Sequence, residues 1–224
     1  MTGKCLGVMA ALVLLIAPWM WASSSEDVAN LIESMPLSAP AKVTISNGFL
    51  RGIADGRLTA DQAFAFLQRI ATSGASIEDR QTVLVSIGQT LLEDIPVEML
   101  INKVDEGLAR GMPMDVIAAE VVERRQTLVE VKSLLNQMGI QIQQQANGPG
   151  FPRSAVDAAI TDIATVLENH VRSGKQPNDG TLLNTALATL NRDGRVTQQL
   201  FEALAAALTE TDLAAIAGNI ASRL

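Results

Sequence analysis

From Glu26 to the last residue, apolar side chains recur three and four positions apart, and glycine or proline interrupts the pattern at short intervals. That period buries one face of a helix, and the alternation of β-branched and aromatic residues that marks strands is missing. The pattern predicts a short helix over 26–35, a linker between Pro36 and Pro40, and a second helix over 43–54 that stops at Asp55-Gly56. Thr59 with Gln62 has the spacing of a capping box for a third helix ending near Gly74. Ser76 with Asp79 starts a fourth in the same way, with Ile77, Leu84, Ile87 and Leu91 along its seam.

Pro96 opens a fifth helix carrying Val97, Leu100, Val104 and Leu108 on one face, and Gly111 closes it. Pro113 opens the longest helix, whose seam is Ile117, Val121, Arg124, Leu128, Val131, Leu135, Met138 and Ile142. Spacings of four and three let such a helix lie along a neighbour at a shallow angle. Arg124 alone interrupts the seam. Its stem packs while its head reaches water, or it pairs with a buried acid or the edge of a partner's helix; the first is the expectation. Arg124, Leu128, Val131 and Leu135 form the candidate interaction surface.

Residues 146–153 hold two glycines and two prolines and cannot continue a helix. Ser154 and Asp157 then have the spacing of a cap for a helix with Val156, Ile160, Ile163 and Leu167 on its buried stripe. Gly174 ends it, a polar loop follows over 175–180, and an eighth helix covers 181–192. Thr197 starts the next, with Phe201, Leu204 and Leu208, and a last helix over 211–224 buries Leu213, Ile216, Ile220 and Leu224.

Two turns are nearly one string, Asp55-Gly56-Arg57-Leu58-Thr59 and Asp193-Gly194-Arg195-Val196-Thr197. Each residue has a capping role without any ligand, which makes the turns connectors of helical hairpins. Asn191, Asp193 and Gly194 match part of a calcium loop, but Thr189 and Leu200 stand where that loop needs acids. The Asp55 turn has Arg51 and Ile53 at the matching places. The expected fold is therefore all-α, with tandem helical hairpins in a bundle or short α-solenoid and a long central helix. Its expected parts are a signal peptide (1–24), a short helix and linker (25–41), an N-terminal hairpin domain (42–145), a Gly/Pro linker (146–153) and a C-terminal helical subdomain (154–224).

The first 24 residues differ from all that follow: Lys4, an apolar run over 5–22, then Ser23, Ser24 and Ser25. This is the layout of a secretory signal, and Ala22 with Ser24 at positions −3 and −1 places the cut before Ser25. An uncleaved anchor flanked by Trp19 and Trp21 is the alternative, since the run reaches the lower limit for spanning a bilayer. Cleavage leads to a periplasmic or extracellular protein of a bacterium, and retention to an inner-membrane anchor. A chain cut there keeps all 24 acids, loses one of 17 bases, and has a formal charge of −8.

Such acidity disfavours nucleic acid and anionic lipid, and a mature chain without Trp or Tyr lacks surfaces on which bases stack. With Cys5 in the leader, the mature chain has no cysteine, so thiol nucleophiles, cysteine zinc sites and disulfides are excluded. The single histidine, His170, lies in a last helical turn, where interaction with the helix dipole is its expected role. Glu120 with Arg124 and Glu106 with Arg110 are four apart, the spacing of surface ion pairs. Gly148-Pro149-Gly150 lacks the lysine and preceding strand of a phosphate-binding loop.

No catalytic residue, metal site or cofactor is assigned from these residues. The expected function is a noncatalytic interaction or structural module of the bacterial cell envelope, with another envelope protein or a second copy as partner. A helical carrier of a small hydrophobic ligand is the alternative, using Met99, Met112, Met114, Met138 and the five phenylalanines. A carboxylate-based hydrolase comes third.

Overall fold

The computed structural model describes residues 23–142, 150–192 and 194–224. Residues 1–22 of the expected signal segment and 146–149 of the expected Gly/Pro linker lie outside them. Among the described residues the chain forms ten helices: α1 (Ser25–Ser34), α2 (Ala39–Ala54), α3 (Ala60–Thr72), α4 (Ile77–Leu92), α5 (Glu98–Ala109), α6 (Met114–Gln137), α7 (Arg153–Arg172), α8 (Leu182–Arg192), α9 (Gln198–Ala207) and α10 (Glu210–Ala221). They pack as a bundle, not a solenoid, around the long α6. No described helix is long and apolar enough to cross a membrane.

The largest helix interface joins α2 and α4. Ser38 donates its backbone N–H to Gln81, Gly48 faces Gly88 and Gly52 faces Leu91, so contacts advance the same way along both helices and the two run parallel. Two glycines at the crossing let the backbones touch. Phe49 and Phe66 stack behind them at 6.2 Å between ring centroids. Helix α6 then lies against α4, α5, α7 and α10, and α7 packs on α8 and α10. One core therefore continues across the expected domain boundary.

Several helix starts follow the local sequence. Thr59 and Gln62 form the capping box, and the Ser76 hydroxyl accepts from the Asp79 N–H. Others depart from it. Helix α2 begins at Ala39 because Pro40 fits the first turn, where its missing N–H costs nothing, so the expected linker is shorter and position 42 falls inside a helix. The cap of α7 is Pro152, with no side-chain hydrogen bond; Ser154 lies inside the helix and Asp157 points to other work.

Ile77 and Leu224 were expected on buried faces but are 48% and 63% exposed. Ile77 is the first residue of α4, and Leu224 lies beyond the end of α10. Leu200, not Phe201, takes the buried position in α9. Helix α6 ends at Gln137, so Met138 caps it, and Ile142 instead forms an isolated bridge with Phe151.

Candidate functional site

The α4–α5 connection makes a sharp bend at Asp94, whose φ of 54° is the one positive value among the described non-glycine residues. Aspartate tolerates this left-handed region better than most residues. The bend gathers three arginines from two other segments around one carboxylate. Arg51 reaches one oxygen at 3.1 Å, while Arg57 and Arg153 approach the other at 3.6 and 3.4 Å.

Arg57 also hydrogen-bonds carbonyls at and just beyond the C-terminal end of α4. Its side chain is 5% exposed, and it donates to the Leu91 carbonyl at 2.7 Å and to the Ile95 carbonyl. Lys132 of α6 donates to the carbonyls of Asp94, at 3.1 Å, and Glu93. Cations at these orphan carbonyls complement the negative end of the helix dipole. Burial pulls both groups below their ordinary pKa; Asp157 and Asp94 oppose it most at Arg57, and Asp94 does so at Lys132.

Asp157, in the second turn of α7, is the unusual member. Its Oδ1 is buried and accepts no hydrogen bond from a described residue. Burial pushes the carboxyl above the ordinary value of 3.8, although Arg57, Arg153 and Lys132 pull it down. An acid with a raised folded pKa binds protons on folding, so its contribution to stability falls as pH rises from the unfolded value through the folded one. The penalty is absent below that interval and complete above it. Asp157→Asn is therefore expected to melt with the parent in acid and above it at neutral pH. A variant less stable than the parent at neutral pH would mean that the cations outweigh the burial.

Two clefts open around this cluster. One, of about 860 Å³, is lined by Arg51, Asp94, Lys132 and Asn136 over the apolar Leu135 and Ile160. The other, of about 810 Å³, is lined by Arg57, Asn102, Ser154, Asp157, Thr161 and Arg195. Asp55 and Arg153 line both. The two near-identical turns thus converge: Arg57 of one and Arg195 of the other line the same cleft, and Arg195 pairs with Asp162 of α7 at 2.5 Å. The repeated Asp-Gly-Arg string was the signal for this site in the sequence. Reading it as caps alone missed the arginines. Asp193 itself lies outside the described residues.

The candidate interaction surface fares differently. Leu128, Val131 and Leu135 are buried within the chain's own bundle, so the seam is used internally and is not a free face. Arg124 does not send its head to water. It makes two-pronged contact with the buried Glu168 of α7, donating Nε at 2.9 Å and Nη2 to Oε2. Glu120, expected to pair with Arg124, instead meets Lys103 of α5 at 2.5 Å, whereas Glu106 and Arg110 pair at 2.6 Å as their spacing suggests.

His170 is buried, and its Nε2 lies 2.8 Å from the Gln176 carbonyl and 3.7 Å from Asp179. It pins the α7–α8 loop, a tertiary role beyond the dipole interaction expected of it. Phe49, Phe66 and Met114 are buried in the core, while Met99, Met112 and Met138 pack at its edge. These arrangements define a class, an all-α bundle with a charged junction between its two groups of helices. No protein family, curated protein or solved structure matches the chain.

Proposed function

We propose that this protein is an exported, noncatalytic binding module of the bacterial cell envelope, and that it takes a polar segment of a partner protein into the clefts flanking Arg153. The observation that carries this reading is the convergence of both repeated turns on one cleft, whose lining mixes Arg57, Arg153 and Arg195 with Asp55, Glu98 and Asp157. Mixed charge at an open cleft discriminates among partners by pairing and by repulsion of the wrong sign. Asn102, Ser154 and Thr161 add side-chain donors and acceptors along the same wall.

A photoreactive residue at Asn102 is expected to crosslink one envelope protein in intact cells, and the same residue at Glu202, away from the clefts, is expected to leave it uncaptured. Equal capture from both positions, or none from Asn102, would overturn the proposal. Hydrolysis is the second reading, favoured by one observation: Asp157 is a carboxyl with a raised pKa beside a cleft that also holds Asp55. Turnover of a cell-wall glycan that is lost in Asp157→Asn would replace the first reading with this one.

A further inference from the structure

We infer that maturation cuts this chain after Ala22, so that the exported protein begins at Ser23. The inference rests on the export reading and concerns only where the cut falls. A cut before Ser25 places Ala22 and Ser24 at −3 and −1, and a cut after Ala22 offers the small Ala22 at −1 with Met20 at −3. Both place a small residue at −1. They differ in what the mature fold keeps.

Ser24 is the N-cap of α1. Its hydroxyl accepts from the Asp27 N–H at 3.1 Å, and its own N–H donates to the Asp27 carboxylate at 2.8 Å, which closes a capping box. The Ser24 carbonyl accepts the Val28 N–H at 3.2 Å. A chain beginning at Ser25 loses all three bonds and places an ammonium group at the positive end of the α1 dipole. One residue earlier, the Ser23 nitrogen donates to Oδ1 of Asp61 at 2.6 Å.

Asp61 belongs to the first turn of α3, a helix against which α1 packs. Cutting after Ala22 keeps the capping box and turns the Ser23 amide into an ammonium already facing that carboxylate. The hydrogen bond becomes charge-assisted and ties the new terminus to α3.

The test is the intact mass of the chain recovered from the envelope of a bacterium expressing residues 1–224 with their own leader. A single species beginning at Ser23 is the expected result. A species lighter by two serines begins at Ser25 and overturns the inference while leaving export intact. A membrane-bound chain that keeps residues 1–22 overturns the cleavage reading itself. In the mature protein, Asp61→Asn is expected to lower Tm on the order of 2 °C at neutral pH. An ammonium paired with a carboxylate has its pKa raised, so its stabilisation is present below the unfolded value and lost above the folded one. The gap is therefore expected to close as pH rises past about 8. A gap that does not change with pH would mean that no charged terminus sits on Asp61.

Discussion

Arg124→Ala is expected to destabilise the protein by about 3–5 kcal/mol, because it removes one member of a buried ion pair and leaves the other without compensation. Glu168 is 2% exposed, and its carboxylate faces the guanidinium with contacts at 3.2 and 2.9 Å from Nε alone. Alanine would strand that charge between α6 and α7. In a protein of this size the loss corresponds to a fall in Tm on the order of 10 °C, measurable by a thermal melt followed by circular dichroism.

The double substitution Arg124→Met with Glu168→Leu separates the two meanings of such a pair. Apolar residues of similar volume often replace a buried pair without loss, so most of the stability is expected to return. An Arg124→Ala variant that melts with the parent would show that Glu168 finds water or another cation instead.

The second large effect is expected at the crossing of α2 and α4. A Cβ added at Gly48 would lie 2.3 Å from the Gly88 oxygen and 2.6 Å from its Cα. Both are backbone atoms and cannot turn aside as a side chain could. Gly48→Ala must part the two helices along their whole interface, at a cost of about 3 kcal/mol or more. Gly218 in α10 is the control, since nothing lies within 4 Å of the position of its added Cβ.

Gly218→Ala is expected to be neutral or to stabilise by up to about 1 kcal/mol through helix propensity. Urea denaturation of the two variants, compared by midpoint and slope, reads both effects. Equal midpoints would mean that the crossing is looser than the backbone distances imply.

Both effects concern the scaffold that positions the charged junction. Arg124 and Glu168 join α6 to α7, which carries Arg153 and Asp157, while the α2–α4 crossing sets Arg51 and Asp94, which line the first cleft with Arg153. Loss of either contact is therefore expected to weaken partner capture as well as stability. Asp157→Asn is the more selective variant for the site, since its stability effect has the opposite sign at neutral pH.

What the sequence by itself determined is local. The three-four spacing of apolar residues marked out helices, glycines placed their ends, and Thr59 with Gln62 placed a start, because these features act within a turn or two of the chain. The long α6 and its apolar seam were legible for the same reason, but not that the chain's own helices would cover Leu128, Val131 and Leu135. The repeated Asp-Gly-Arg turns were visible too, but not their meeting at one cleft.

Only the tertiary structure decided which distant groups meet. Arg124 and Glu168 are 44 residues apart, and no spacing rule links an arginine on one seam to an acid on another helix. The pairing of Gly48 with Gly88 depends on the parallel course of α2 and α4, which α3 makes possible by returning the chain to its starting end. Asp157 looked like a cap in the sequence because a cap is a local arrangement. Its burial exists only when α2, α6 and α7 have packed, and that burial raises its pKa against the opposing pull of Arg57, Arg153 and Lys132.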